Sequence, residues 1–141
     1  PQRRDLDSPA VMAGAESFES LGCSSCHRPQ MHTASDAERP ELAGQTIWPY
    51  SDLLLHDMGE GLADGRPEYQ ASGGEWRTPP LWGIGLTQDV NPQAGFLHDG
   101  RARTLQEAIL WHGGEAVAAM EGYRQLSPEQ RAELIIFLES L

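Results

Sequence analysis

The sequence predicts a mainly α fold organised around a bound prosthetic group. Three observations carry that prediction. Capped helical segments stand near the two ends of the chain, and both cysteines sit in one short motif directly after the first of them. The third is residues 28–103, a stretch too rich in Pro and Gly to pack by itself. The length, 141 residues, suits one domain with a core of its own, and we read residues 1–141 as a single domain.

The elements follow in chain order. Ser8-Pro9 reads as an N-cap with Pro at the first helical position. A helix to about Leu21 then places Val11, Ala15, Phe18 and Leu21 on one face. It runs into Cys23-Ser24-Ser25-Cys26-His27, the C-x-x-C-H pattern for attachment of a c-type haem. The spacing has a chemical reason: two thiols three positions apart add across different vinyl groups of one porphyrin. The next residue, His27, then lies under the iron as its proximal ligand. A thioredoxin-like couple would need a βαβ pattern around the pair, and a zinc site a second ligand pair at short spacing. Neither is visible.

Residues 28–103 are punctuated by Pro29, Pro40, Pro49, Pro67, Pro79, Pro80 and Pro92. A loop this long is uncommon unless something else organises it, and a haem would be that organiser. Thr104-Leu105-Gln106-Glu107 is a capping box that opens a third segment, with Ala108, Ile109 and Trp111 on its apolar face and Gly113-Gly114 as its stop. Residues 115–124 are Ala-rich enough for a further helix. Ser127-Pro128-Glu129-Gln130 opens the last helix, whose stripe is Leu134, Ile135, Leu138 and Leu141. An N-terminal helix before the motif and an apolar C-terminal helix that crosses it make the expected architecture cytochrome c-like, with long loop-rich insertions around one covalent haem.

Charge narrows the partners. Acids outnumber bases 21 to 10, for a net charge of −11, and every base is Arg. Nucleic acid binding is therefore not expected. Acids concentrate between Asp52 and Glu75, as a solvated surface or as a docking face for a basic partner. No apolar run reaches the ~18 residues of a membrane span. Pro1-Gln2-Arg3-Arg4-Asp5 does not read as a secretory leader, so the chain reads as already processed, cut from something longer, or cytosolic. Since c-type haem is attached after export, the motif favours a periplasmic or otherwise exported protein.

The residues alone leave the distal iron ligand open among His32, His56, His98, His112, Met31, Met58 and Met120. Met31 and Met120 read as core fillers, and His32 lies close in sequence to His27 on the same side. His56 and Met58 sit in an apolar run expected near the haem, Leu53-Leu54-Leu55-His56-Asp57-Met58-Gly59. His112 ends the capped third segment and is slightly favoured by that position.

The stretch Phe96-Leu97-His98-Asp99-Gly100-Arg101-Ala102-Arg103-Thr104-Leu105-Gln106-Glu107-Ala108-Ile109 resembles the bacterial di-haem cytochrome c peroxidase and MauG superfamily. Together with Thr78-Pro79-Pro80-Leu81-Trp82-Gly83 and the Leu53–Gly59 run, it is most similar to the thiol-oxidoreductase branch, the di-haem oxidoreductases. The resemblance covers roughly residues 10–141. It implies that the axial ligand follows the Thr-Leu-x-Glu-Ala helix start, which is His112 here, and so implies bis-histidine ligation by His27 and His112. The family carries two C-x-x-C-H motifs and this chain one, so it resembles the C-terminal half, as a fragment or a free-standing domain. The haem at which peroxide reacts belongs to the other half. The superfamily's calcium lies between its two halves, so the missing half counts against it here, although Thr87 falls near a position that supplies a backbone ligand in the peroxidases.

Arg101 and Arg103 are candidates for the haem propionates, Trp82 and Trp111 for pocket packing, and Asp99 for orienting His98. The expected function is electron transfer through a six-coordinate haem, to a redox protein partner or an N-terminal haem domain. The alternative is a peroxidase or thiol oxidoreductase whose distal ligand leaves; a non-haem metal or redox module is the third reading.

Overall fold

The computed structural model describes residues 3–36 and 38–141. Helix α1 (Pro9–Ser20) starts with Pro at its first turn and Ser8 in extended conformation. The Ser8 side chain makes no capping hydrogen bond, so ring geometry sets this start. Gly22, at φ 81°, reverses the chain into a single 3-10 turn, Cys23–Ser25. A side chain would strain that left-handed position.

Two short hairpin-like pairings follow. Strand β1 (Met31–His32) pairs antiparallel with β2 (Thr46–Ile47), Met31 opposite Ile47. Strand β3 (Leu55–Asp57) pairs antiparallel with β4 (Glu75–Arg77), His56 opposite Trp76. Then come α2 (Thr87–Val90), α3 (Leu105–Leu110), α4 (Val117–Gln125) and α5 (Pro128–Ser140).

The expectation of a mainly α, cytochrome c-like fold is therefore corrected. Among the described residues, five α-helices and short 3-10 turns bring helical content to 41%, and they share the chain with 10% strand and bridge residues, most of them in two small antiparallel sheets. The cause lies in the middle of the sequence. Proline and glycine stop helix propagation there, but they leave short extended runs such as Leu55-His56-Asp57 and Glu75-Trp76-Arg77 free to pair.

The capping boxes differ in how they close. At α5, Ser127 Oγ accepts from the Gln130 N–H (3.2 Å), and the Gln130 side chain accepts from the Ser127 N–H (3.0 Å). At α3, Thr104 Oγ1 accepts from the Glu107 N–H (3.0 Å), but the Glu107 carboxylate reaches one residue further back, to the Arg103 N–H at 2.8 Å.

Helices α1 and α5 cross over the core. Val11, Phe18, Leu134, Phe137, Leu138 and Leu141 are buried there, each contributing about 1.5–3 kcal/mol by leaving water. Phe18 and Phe137 pack with centroids 5.2 Å apart, and Tyr50 meets each of them edge-on at 6.0 Å. The crossing is close because Gly14 lies directly against the Glu133 carbonyl and Phe137 Cβ. The C-terminal end of α5 is tied down by the Arg4 N–H on the Ser140 carbonyl and the Gly83 N–H on that of Leu141, both 2.8 Å, so two carbonyls left over by the helix find donors.

Gly14→Ala tests the crossing. Alanine gains up to about 1 kcal/mol of helix propensity, but its methyl meets a backbone carbonyl that cannot rotate away, and overpacking costs about 1–3 kcal/mol. The net expectation is a lower urea midpoint. Met12→Ala, on the exposed face of α1, should stay within about 0.5 kcal/mol of the parent.

Candidate functional site

The C-x-x-C-H segment winds as one tight turn, with the His27 N–H on the Cys23 carbonyl at 2.9 Å. The His27 ring is held from behind: Nδ1 lies 3.1 Å from the Tyr50 carbonyl oxygen. A carbonyl only accepts, so Nδ1 carries the proton and Nε2 keeps a free lone pair. Burial pushes the imidazole pKa down to about 4, against the opposing pull of the Tyr50 hydrogen bond. The ring is thus neutral at pH 7, the form that binds a metal. Tyr50 itself holds φ at 53° while its ring sits in the aromatic core.

His112 is held in the same way, by a backbone carbonyl behind its Nδ1. Helix α3 ends at Leu110 with Trp111 as its C-cap, so His112 stands one residue past the cap, not within the helix. Its N–H reaches the Ile109 carbonyl (3.1 Å) and its Nδ1 donates to that of Ala108 at 2.8 Å. Burial again lowers its pKa. The His27 and His112 rings have centroids 6.4 Å apart, tilted by 50°. Two imidazoles sharing one metal from opposite sides, each at about 2.0–2.1 Å, need centroids roughly 6.3–6.5 Å apart. The donor chemistry and the spacing both fit an iron between them.

Cys23 and Cys26 are free thiols. Burial raises Cys23 to about 11, helped by the neighbouring Cys26, and raises Cys26 together with the charges of Asp52 and Glu115. A thioredoxin-type couple needs the opposite shift. The Cys26, Asp52 and His56 donor atoms lie within 4.8 Å of one another, the one such group among the described residues. Both nitrogens of His56 are taken, however: Nε2 by Asp52 Oδ2 and Nδ1 by Glu115 Oε2, each at 2.9 Å. The two carboxylates raise its pKa, Glu115 most. Between two carboxylates the ring is an imidazolium with no lone pair to offer a metal.

The other candidates are spread around this centre. Met58 approaches His112 through its backbone, its carbonyl lying beside Gly113. Arg101 pairs with Asp99 (2.7 Å), donates to the Gly61 carbonyl and lies over the Trp111 ring at 4.9 Å; Trp111 is half-exposed. Arg103 pairs with Glu107 at 2.8 Å. His98 stacks on Trp76, centroids 3.5 Å apart, and Asp99 is 3.9 Å from its Nε2. Asp99 therefore holds Arg101 more closely than His98. His32 belongs to the β1–β2 pairing, with Nδ1 on Thr46 Oγ1 at 3.1 Å. Met31 and Met120 are half-buried. Trp82 is exposed beside buried Leu81, and Thr87 begins α2. Leu53, Leu54 and Leu55 are exposed.

Much of the acid in residues 52–75 shapes turns. Asp52 accepts from the Leu54 N–H, Asp57 from Gly59, Asp64 from Arg66 and Glu75 from Ser72, at 2.7–3.0 Å. Sequence reasoning missed three groups at the site: the Tyr50 carbonyl, Asp52 and Glu115. A backbone acceptor leaves no side-chain signal. Glu115 had one, its place three residues after His112 behind two glycines.

The family model described as "Di-haem oxidoreductase, putative peroxidase" matches residues 1–141, and the chain belongs to that family. It is accordingly a haem protein with a redox role. No curated protein matches it. No helix among the described residues is long and apolar enough to cross a membrane.

The His56 bridge makes stability depend on pH. Its folded pKa is raised, first by Glu115 and then by Asp52. Both carboxylates are held below their usual range: Glu115 chiefly by the His56 hydrogen bond, and Asp52 because its Leu54 and His56 bonds together outweigh desolvation. The stabilisation is full between the carboxylate range and the ordinary histidine pKa of about 6.5; it is lost as pH rises through the raised His56 value and as pH falls through the lowered carboxylate values. His56→Gln should therefore lower the urea midpoint more at about pH 6 than at about pH 9. An equal loss at both would contradict the bridge.

Proposed function

We propose that this di-haem oxidoreductase family member carries one covalent c-type haem and serves in electron transfer, as the C-terminal haem domain of a longer di-haem system or beside a separate redox protein. The observation that carries the reading is the 6.4 Å separation of the His27 and His112 rings, with each Nδ1 fixed on a backbone carbonyl. Cys23 and Cys26 would form the two thioethers. The bound haem supplies a one-electron iron couple.

The residues then do the following. His27 and His112 would hold the iron, and burial keeps both imidazoles neutral, so neither must lose a proton to bind. An iron held by both would offer no open position to water or peroxide. Two imidazoles also set a lower reduction potential than an imidazole–thioether pair. Trp111 and Arg101 line the edge next to His112. Thioether attachment implies an exported protein, consistent with thiols that become linked and not used as a redox couple.

One observation favours the enzymatic alternative. His112 stands outside its helix and is followed by Gly113-Gly114, a segment able to swing if released.

Haem should stay on the polypeptide in a denaturing gel when the chain matures in a host that assembles c-type cytochromes. Replacing both Cys23 and Cys26 by Ala should release it. His112→Ala should turn a low-spin iron high-spin and admit cyanide, while Met58→Ala should stay six-coordinate. A wild-type spectrum in His112→Ala, with loss of the low-spin signal in Met58→Ala, would make Met58 the ligand. A wild type that is already high-spin and reacts rapidly with peroxide would favour the enzyme.

A further inference from the structure

His112 lies beyond the end of α3, so helix geometry alone does not hold it opposite His27. Three residues on, the Glu115 carboxylate spans to strand β3. Its Oε1 accepts from the Asp57 N–H (2.9 Å) and its Oε2 takes His56 Nδ1 at 2.9 Å. The backbones between are packed without room for side chains. A Cβ on Gly113 would fall 2.9 Å from the Met58 carbonyl oxygen, and one on Gly59 would fall 2.9 Å from the Gly114 nitrogen. Gly114, at φ 51°, faces the Asp57 carbonyl directly. The 57–59 and 113–115 segments are thus zipped together, with Glu115 as the side chain that fastens them.

The fastening continues to the proximal side. His56 Nε2 is held by Asp52, two residues from Tyr50, whose carbonyl holds His27. Ser51, between them, is fully buried and donates to the Thr78 carbonyl at 2.8 Å. A continuous path therefore runs from His27 through Tyr50, Asp52, His56 and Glu115 to His112. It closes around the gap between the two rings by hydrogen bonds and a few backbone steps.

We propose that Glu115 is the positioning residue of the distal ligand: by bridging His56 and the Asp57 amide it holds the His112 segment closed and keeps the iron's sixth position occupied. This rests on the axial assignment of His112 made above. Glu115 does not touch the iron; it acts through the segment that carries His112. Charge-assisted hydrogen bonds of this kind are among the stronger ones in proteins. Their loss should therefore appear as easier release of His112.

The test uses the haem-loaded chain, with the electron paramagnetic resonance spectrum and the cyanide association rate as readouts. Glu115→Ala should bind cyanide roughly ten- to a hundredfold faster, the scale of one or two lost charge-assisted hydrogen bonds, and should show a high-spin fraction. Glu115→Gln keeps an acceptor for the Asp57 N–H but loses the one for the protonated His56 Nδ1, so it should fall between wild type and Glu115→Ala. Glu121→Ala, which breaks only an exposed pair with Arg124, should match wild type. His56→Ala removes one arm of the bridge and should bind cyanide faster while resting six-coordinate; it decides the matter if Glu115→Ala does not accumulate as holoprotein. Wild-type cyanide rates in Glu115→Ala, or in His56→Ala in its place, alongside an opened His112→Ala overturn the proposal. If His112→Ala itself keeps the wild-type low-spin spectrum, the axial assignment is what fails.

Discussion

The hydrogen bond between His27 Nδ1 and the Tyr50 carbonyl is the joint on which the molecule turns. On one side of it lies the cysteine-bearing turn at the end of α1. On the other lies Tyr50, whose ring is part of the Phe18–Phe137 cluster where α1 and α5 cross. The same contact fixes the imidazole tautomer, orients the ring and anchors the loop that leads into β3. Because the acceptor is backbone, its position follows from packing of the Tyr50 ring in the core, which in turn depends on the close approach permitted at Gly14. Helix crossing, aromatic packing and ligand orientation are thus coupled through one residue.

The ends of the chain were legible in the sequence and its middle was not, for a physical reason. Helices α1 and α5, the start of α3 and the cysteine motif depend on residues close together: a Pro at the first turn, a capping pair three apart, an apolar stripe. The strands pair residues far apart in sequence, as Met31 with Ile47 and His56 with Trp76, and two or three residues give no period to detect. The same limit applied to the site. His27 and His112 announce themselves as side chains in recognisable surroundings. Glu115 and Asp52 act only because His56 lies between them, which is a fact of tertiary structure. Even the α3 capping box shows the limit: the sequence pattern is present, but the glutamate closes on Arg103 and not on the cap residue.

The surplus of acid also has a more local meaning than net charge suggests. Carboxylates of Asp52, Asp57, Asp64 and Glu75 accept backbone amides in the turns they occupy. In a segment with little helix or sheet, side chains must take over amide satisfaction that regular structure supplies elsewhere. Acid runs of this kind are part of how a loop-rich chain holds its shape, and the negative field they leave outside is a by-product open to use by a partner.

The clasp at the C-terminal end of α5 has a mechanical consequence. Arg4 and Leu141 meet there, with Arg4 bonded to Ser140 and Gly83 to Leu141. Tension or torque entering through either end of the described chain is delivered to the same spot. It is borne by the α1–α5 crossing, the same packing that seats the Tyr50 ring. A tethered neighbour that rocks or swivels on this domain therefore acts on the support of His27 before it reaches residues 57–59 and 113–115.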